Sequence, residues 1–325
     1  MCLQNSSRSC PAGKLAVPVG TRRRPRGTVA AAAISSVAGL RSGPVALASE
    51  GVAVWMNGDL FPDNEAKISV FDHGLVVGDG VFETIKVTDG VPFALTRHLK
   101  RLSRSATGLG LQEPDLDQIR AGAQEIIDAS PGIPLARLRI TVTGGIAPLG
   151  SERGGSPVTA IVAIAEQKRP TASVDVVVVP WPRNEHGALA GLKTTSYGEN
   201  VRALAYAAEH GGSEAIFANT AGSLCEGTGT NVFIVSGGRL VTPPLSAGCL
   251  AGVTRALVIE WAGADEEDVP VAALEAAEEA FLTGTTRDVQ PIRSVNGSIL
   301  PAVPGPVSRK AAEVFAMRSA ESPDP

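Results

Sequence analysis

The sequence predicts a mixed α/β chain divided into two domains, and three observations carry that prediction. Short β-branched runs, such as Val81–Val87, Leu135–Thr143 and Val158–Ala165, recur between segments with helical apolar spacing. Hydrophobic residues fill 44% of 325 positions against 19% charged, so a large core can be buried and a disordered or coiled-coil chain is excluded. A polar stretch at Gln167–Ser173, with Pro170 inside it, interrupts the pattern near mid-chain. Two domains of about 100–200 residues each fit that length, over 51–170 and 174–325.

In order, Val52–Met56 reads as a strand, with Asn57-Gly58 as a hairpin turn. Val81–Val87 is a second strand, and Asp89-Gly90 turns the chain into a third over Val91–Leu95. Thr96 then reads as a helix N-cap, because Leu99, Leu102, Ala106 and Leu109 form an apolar stripe behind it. A helix over Asp115–Ala129 is stopped by Pro131-Gly132, and strands follow at Leu135–Thr143 and Val158–Ala165. The second half opens on a strand at Val174–Pro180, then a loop and a helix over Glu199–His210. Strands are expected at Glu214–Asn219, Asn231–Val235, Arg239–Val241 and Glu279–Thr283, with helices from about Thr254 to Trp261 and over Val307–Arg318.

Residues 1–50 stand apart. Seven basic residues face one acid there, a net +6 that leaves −10 for the remainder of a chain whose total is −4. The segment is rich in Ser, Gly, Pro and Ala and shows no period of 3.6 or 2, so it is not expected to join a core. It reads as an organelle transit peptide, a weak secretory signal, or a disordered or misplaced start.

Composition also narrows function. With 4% aromatics and a negative net charge, nucleic acid is not an expected partner. The longest apolar runs are strand-sized, so no membrane span is expected. The four cysteines form neither a CxxC nor a disulfide framework, which fits a reducing compartment and a cytoplasmic location, import through the leader being the alternative. His73, His98, His186 and His210 show no ligand spacing, so no metal is expected. There is no G-x-S-x-G elbow, and Gly78-Asp79-Gly80 runs into a strand rather than a helix, which argues against a dinucleotide loop. His73 precedes a turn with no evident acid or base partner and reads as structural.

Two segments remain. Gly191-Leu192-Lys193-Thr194-Thr195-Ser196-Tyr197 places a lysine after a loop and before a helix. Cys225-Glu226-Gly227-Thr228-Gly229-Thr230-Asn231-Val232-Phe233 places a glutamate ahead of a Gly/Thr-rich turn and a strand. Together, in that order, they resemble the class IV aminotransferases, the fold-type IV pyridoxal-phosphate enzymes, over about Val54 to Arg318. The resemblance implies a small α/β domain, a larger barrel-like β-rich domain, and pyridoxal 5'-phosphate between them. It assigns the covalent bond to the cofactor and the catalytic proton transfers to Lys193, and the partner of the ring nitrogen to Glu226. A carboxylate there favours a protonated ring that accepts electrons, and partial desolvation favours a neutral lysine.

The same resemblance assigns phosphate contacts. Thr96-Arg97-His98-Leu99-Lys100-Arg101-Leu102 is similar to the family's E-H-x-x-R-L helix, with Arg97 where the family has glutamate, and implicates Arg101. Leu250-Ala251-Gly252-Val253-Thr254-Arg255 implicates Gly252, Val253 and Thr254 at a helix start. Phe281-Leu282-Thr283-Gly284-Thr285-Thr286 implicates Gly284 and Thr285. Asp72-His73-Gly74 and Gly80-Val81-Phe82-Glu83-Thr84 match the small-domain signature, which places Phe82, with Tyr197, at the substrate pocket. Thr143-Gly144-Gly145-Ile146-Ala147-Pro148 lacks the arginine and histidine that follow in D-amino acid enzymes. Thr84 and Lys86 depart from the branched-chain pattern G-V-F-E-G-I-R. The overall pattern is most similar to aminodeoxychorismate lyases, implying 4-aminobenzoate and pyruvate as products. The alternative is an aminotransferase of branched-chain type. A homodimer is implied in either case.

Overall fold

The structure, a computed structural model, describes residues 53–325; the basic leader and Val52 lie outside the described residues. The first sheet is drawn from residues 53–166: β1 (Ala53–Met56), β2 (Asp59–Pro62), β3 (Gly80–Thr88), β4 (Val91–Pro92), β5 (Leu135–Thr143) and β6 (Thr159–Glu166). They pair antiparallel in the order β2-β1-β6-β5-β3-β4. Asn57 turns β1 into β2 at a positive φ of 52°, a conformation asparagine tolerates. The short helix α1 (His73–Val76) precedes β3.

Alternation along β3 and β5 divides their side chains between two faces. Val81, Ile85 and Val87 join Leu138, Ile140 and Val142 in a core completed by α2 (Leu95–Leu109) and α3 (Leu116–Asp128). Leu99, Leu102 and Ala106 pack into it, as the helical stripe requires. Phe82, Thr84, Arg137 and Arg139 stand on the opposite face and line a cleft.

The second sheet is drawn from residues 174–299. It holds β7 (Val174–Val178), β8 (Glu214–Ala218), β9 (Leu224–Gly227), β10 (Asn231–Ser236), β11 (Arg239–Thr242), β12 (Asp265–Glu266), β13 (Glu279–Gly284), β14 (Asp288–Val295) and β15 (Ser298–Ile299). Its order is β12-β11-β10-β13-β14-β7-β8-β9, and β9 also pairs with β10 through Glu226 and Asn231. The path from β10 through β13, β14, β7, β8 and β9 therefore returns to β10, closing a barrel-like ring. Helices α4 (Gly198–Glu209), α5 (Val253–Ala262) and α6 (Pro306–Glu321) complete this part. Among the described residues no helix is long and apolar enough to cross a membrane.

Two local expectations are corrected, and two strands appear that the sequence did not predict. The strand expected to reach Leu95 stops at Pro92, where proline removes a ladder donor. Helix α2 is capped not by Thr96 but from far along the chain: the Thr96 N–H donates to Asp324 Oδ1 at 2.9 Å and its hydroxyl to Oδ2 at 2.6 Å. Strand β9 was hidden because its residues sit inside what reads as a turn motif. Strand β14 was hidden because it carries Pro291 and an irregular register at Ile292/Ser294.

Candidate active site

A cavity of about 1090 Å³ opens between the polar face of β3 and β5 and the rim of the barrel. All ten residues singled out from the sequence line it: Lys193, Glu226, Arg101, Gly252, Val253, Thr254, Gly284, Thr285, Phe82 and Tyr197.

Lys193 lies on a segment zipped to the start of β3. The Phe82 N–H donates to the Lys193 carbonyl at 3.0 Å, and the Thr195 N–H donates to that of Gly80 at 2.8 Å. The lysine Nζ is 3.4 Å from Tyr197 Oη and 4.5 Å from the centre of the Phe82 ring. The two rings meet edge to face with centroids 5.0 Å apart. Burial, reinforced by the charge on Arg101, lowers the Lys193 pKa to about 8, so a neutral amine is readily reached.

Glu226 ends β9. Its Oε2 accepts the Leu250 N–H at 2.9 Å, and Oε1 lies 3.6 Å from Arg183 Nε. Burial pushes the Glu226 carboxyl upward while Arg183 pulls it back. Sequence reasoning missed Arg183, a single arginine in a loop. Its guanidinium lies 4.1 Å from the Phe217 ring centre and donates to Asn200 Oδ1 at 3.0 Å, and Asn200 in turn donates to the Thr228 carbonyl. These bonds tie the start of α4 to the turn that follows Glu226.

The three phosphate-binding candidates converge. Helix α5 begins at Val253 with Gly252 as a cap that offers no side-chain bond, which leaves its first N–H groups without an intrahelical partner where Gly252, Val253 and Thr254 line the cavity. A Cβ on Gly252 would come 2.0 Å from Asn231 Oδ1, so this close approach requires glycine. Gly284 and Thr285 lie at the β13–β14 turn, and the buried hydroxyls of Thr230 and Thr283 have no partner among the described residues.

Arg101 arrives from α2 held by three of its five N–H donors, which leaves two for a ligand. Its Nε and Nη2 donate to the two oxygens of Glu83, each at 2.7 Å, and Nη1 donates to the Ala251 carbonyl at 3.0 Å. His98 Nδ1 is 2.6 Å from Glu83 Oε2. Burial opposes ionisation of Glu83, but the Arg101 charge and the hydrogen bonds from Arg101 and His98 outweigh it and hold the carboxyl at about 2. Glu83 and His98 were missed as partners because they sit on different elements, a strand and a helix.

The structure adds two more residues. Arg137 and Arg139, two positions apart on β5, project to the cavity and form no ion pair among the described residues. Arg139 lies 3.8 Å from the Phe82 ring centre and donates to Thr141 Oγ1 at 3.1 Å. Although the Arg139 side chain is exposed, loss of hydration at the cleft wall, with the charge of Arg137 adding to it, lowers its pKa from the ordinary guanidinium value.

This donor set suits pyridoxal phosphate. An anion finds helix N–H groups, threonine hydroxyls without partners and an oriented arginine, while a lysine of lowered pKa and a buried carboxylate share the same cavity.

Comparison with known proteins agrees. The profile of the amino-transferase class IV family matches residues 80–295. A protein of Methanocaldococcus jannaschii assigned as a branched-chain-amino-acid aminotransferase is 33% identical, covering 81% of this chain and 94% of its own. A D-alanine aminotransferase of Staphylococcus haemolyticus is 30% identical over 81% and 96%. Among solved structures, the branched-chain aminotransferase of Thermoproteus uzoniensis superposes with a TM-score of 0.77 at 31% identity, covering 82% and 93%. A Legionella pneumophila protein assigned as a 4-amino-4-deoxychorismate lyase does so at 0.73 and 25%, covering 78% and 96%.

Proposed function

Because the chain belongs to the class IV aminotransferase family, we propose that it moves an amino group between an amino acid and a 2-oxo acid, with Lys193 as the catalytic residue. Pyridoxal phosphate is the cofactor of that family. The observation that carries the reading is Lys193, buried at the cavity wall beside Tyr197 with its pKa lowered to about 8, in one cavity with Glu226.

The cofactor would be held by Lys193 and by Glu226 at the ring nitrogen. Arg101, Thr254, Gly284, Thr285 and the first N–H groups of α5 would hold its phosphate. Bound there, pyridoxal phosphate supplies an aldehyde that captures the substrate amine and a ring that accepts the electrons of the broken C–H bond. Lys193 Nζ would take the proton from the amine-bearing carbon of the substrate and hand it to the carbon that the cofactor's aldehyde supplies, and would run the same transfer backwards on the 2-oxo acid. Glu226 keeps a proton on the ring nitrogen, with the Leu250 N–H fixing its orientation and Arg183 opposing loss of its charge to burial. Phe82 and Tyr197 wall the lysine from water, and the tyrosine hydroxyl lies within reach of Nζ. Arg139, with Arg137 behind it, receives a substrate carboxylate.

The same arginine pair favours one second reading, the lyase. Two cations at one side of the cavity suit a substrate whose carboxylate lies far from its amine, as in aminodeoxychorismate. A D-amino acid donor fits less well, because the run from Thr143 to Pro148 carries neither the arginine nor the histidine of the D-amino acid enzymes. Purified protein offered an L-amino acid and 2-oxoglutarate should exchange amino groups, and an amino acid alone should stop after one equivalent. Release of equal 4-aminobenzoate and pyruvate from aminodeoxychorismate, with no 2-oxo acid added, would establish the lyase instead. Borohydride should fix the cofactor to the Lys193 peptide; a label on another lysine removes the assignment.

We propose that a second copy of the chain covers an exposed apolar patch next in sequence to Val77 and Gly78, which line the cavity. Val70 and Phe71, Leu75 of α1, and Ile146 and Leu149 of the loop after β5 are exposed, and the two segments are joined where the Ala147 N–H donates to the Phe71 carbonyl. Light scattering of a Leu75→Glu/Leu149→Glu variant should show a smaller particle than wild type. The leader is proposed to be dispensable, so a chain beginning at Gly51 should keep its activity and melt within a few degrees of the full protein.

A further inference from the structure

The segment bearing Lys193 is held chiefly by residues 78–82. The Gly78 carbonyl accepts the hydroxyls of Thr195 at 2.9 Å and Ser196 at 3.1 Å, in addition to the backbone bonds from Phe82 and Thr195. Where those residues sit therefore sets where the lysine sits.

Asp79 stands in the middle of this strip, with its side chain in a separate buried cluster. Arg153 grips both its oxygens, Nε to Oδ2 at 2.8 Å and Nη2 to Oδ1 at 2.6 Å. His73 Nδ1 lies 2.9 Å from Oδ2, which gives His73 the acidic partner its sequence context did not reveal. The other ring nitrogen, Nε2, lies 2.9 Å from the Gly150 carbonyl. A carboxylate and a carbonyl only accept, so both bonds form only when the ring carries both protons. The fit is tight: a Cβ on Gly144 would come 2.5 Å from Asp79 Oδ2, and the Gly144 N–H donates to the Asp79 carbonyl at 2.9 Å. Arg153 also donates to the carbonyls of Leu109, at 2.8 Å, and Gly110, at the end of α2.

We propose that Asp79 is a positioning residue for Lys193 and that the doubly protonated His73 ring completes its clamp. Loss of that proton frees the Gly150 loop and loosens the strip to which the lysine segment is zipped. The charged groups facing His73 are Asp79, from the turn before β3, and Arg153, from the loop after β5. Asp72 precedes it, but its carboxylate is taken up by the Gly74 N–H and the hydroxyls of Thr143 and Thr159. The hydrogen bond to Asp79, with the Gly150 carbonyl, holds the ring proton above the ordinary histidine range. The clamp is thus complete below about pH 6.5 and opens as pH rises through the raised value. The consequence for catalysis rests on the reading of Lys193 given above.

Hydrogen exchange of the holoenzyme tests this between about pH 6 and 9. In wild type, protection of the Phe82 and Thr195 amides, corrected for intrinsic rates, should fall about tenfold as the His73 Cε1 proton signal titrates. His73→Gln should show low protection without that step, and Asp79→Asn should lower kcat about tenfold with little change in KM. Protection in wild type that stays flat while His73 titrates would overturn the proposal, as would a wild-type step surviving in His73→Gln. If His73→Gln fails to fold, the wild-type titration still decides. Failure of the Lys193 reading looks different: the borohydride label moves to another lysine while the exchange pattern stays.

Discussion

Two sets of arginines line one cavity and are built in opposite ways. Arg101 is 5% exposed and locked by Glu83 and the Ala251 carbonyl, whereas Arg137 and Arg139 face the cleft with no carboxylate beside them. A guanidinium whose directions are already fixed loses little freedom when it binds, but much of its charge is cancelled. It suits a group that always arrives in one place, such as a cofactor phosphate. An unpaired guanidinium keeps its charge for whatever carboxylate enters. It suits substrates that change from one half-reaction to the next. The difference teaches that, within one site, pairing separates preorganised contacts from adaptable ones.

The sharpest way to break this comparison is Arg101→Gln. It leaves Glu83 buried without its cation, and removing one partner of a buried pair costs about 3–5 kcal/mol. The melting temperature should fall steeply, and cofactor titration of the surviving folded protein should show affinity weakened about 10–100-fold. Unchanged affinity in a folded variant would mean that Arg101 is only a structural tie between α2 and the loop before α5.

Acid probes the same lock without mutation. Glu83 is held at about 2, below its unfolded value, so its contribution is present above about pH 4.5 and is lost as pH falls toward 2. A shift of that size corresponds to about 3 kcal/mol. Wild-type stability should drop through this window, while the double variant Glu83→Gln/Arg101→Gln should show a much shallower decline. Equal slopes in both proteins would show that other carboxylates govern acid unfolding.

Much of this was legible in the sequence, and the rest was hidden for physical reasons. Lys193 and Glu226 could be found because each is set in a local motif, and all three phosphate-binding candidates lie in short contiguous runs. The β3 and β5 strands announced themselves by β-branched composition. What could not be read were partners distant along the chain: Glu83 with Arg101, Asp324 with Thr96, and Asp79 with His73 and Arg153. The unpaired arginines were legible in principle. Alternation places Arg137 and Arg139 on the face of β5 opposite Leu138 and Ile140, and two cations on one face of a central strand need a reason.

Arg139→Gln leaves the lock intact and removes the proposed carboxylate contact. The KM of a dicarboxylate substrate should rise about 10–100-fold, equivalent to 1–3 kcal/mol, with cofactor affinity and melting temperature unchanged. A monocarboxylate amino acid should be affected less. A loss of cofactor affinity instead would erase the distinction between the two sets.

The smallest effect belongs to Arg137→Gln, and it divides the unpaired set itself. Arg139 is steadied by the Phe82 ring and the Thr141 hydroxyl, while Arg137 has no side-chain hydrogen bond among the described residues. Both side chains are exposed, but Arg137 lacks such a neighbour to fix it, so its charge acts across solvent, where it steers an incoming anion more than it holds a bound one. Replacing it should lower kcat/KM about two- to threefold at low ionic strength, and the difference should vanish near 1 M salt, where the screening length is about 3 Å. A large, salt-independent loss would make Arg137 a direct contact like Arg139. The substrate would then carry its remote carboxylate deeper along β5 than a single arginine can reach, which favours the longer dicarboxylate of the lyase reading over a small amino acid.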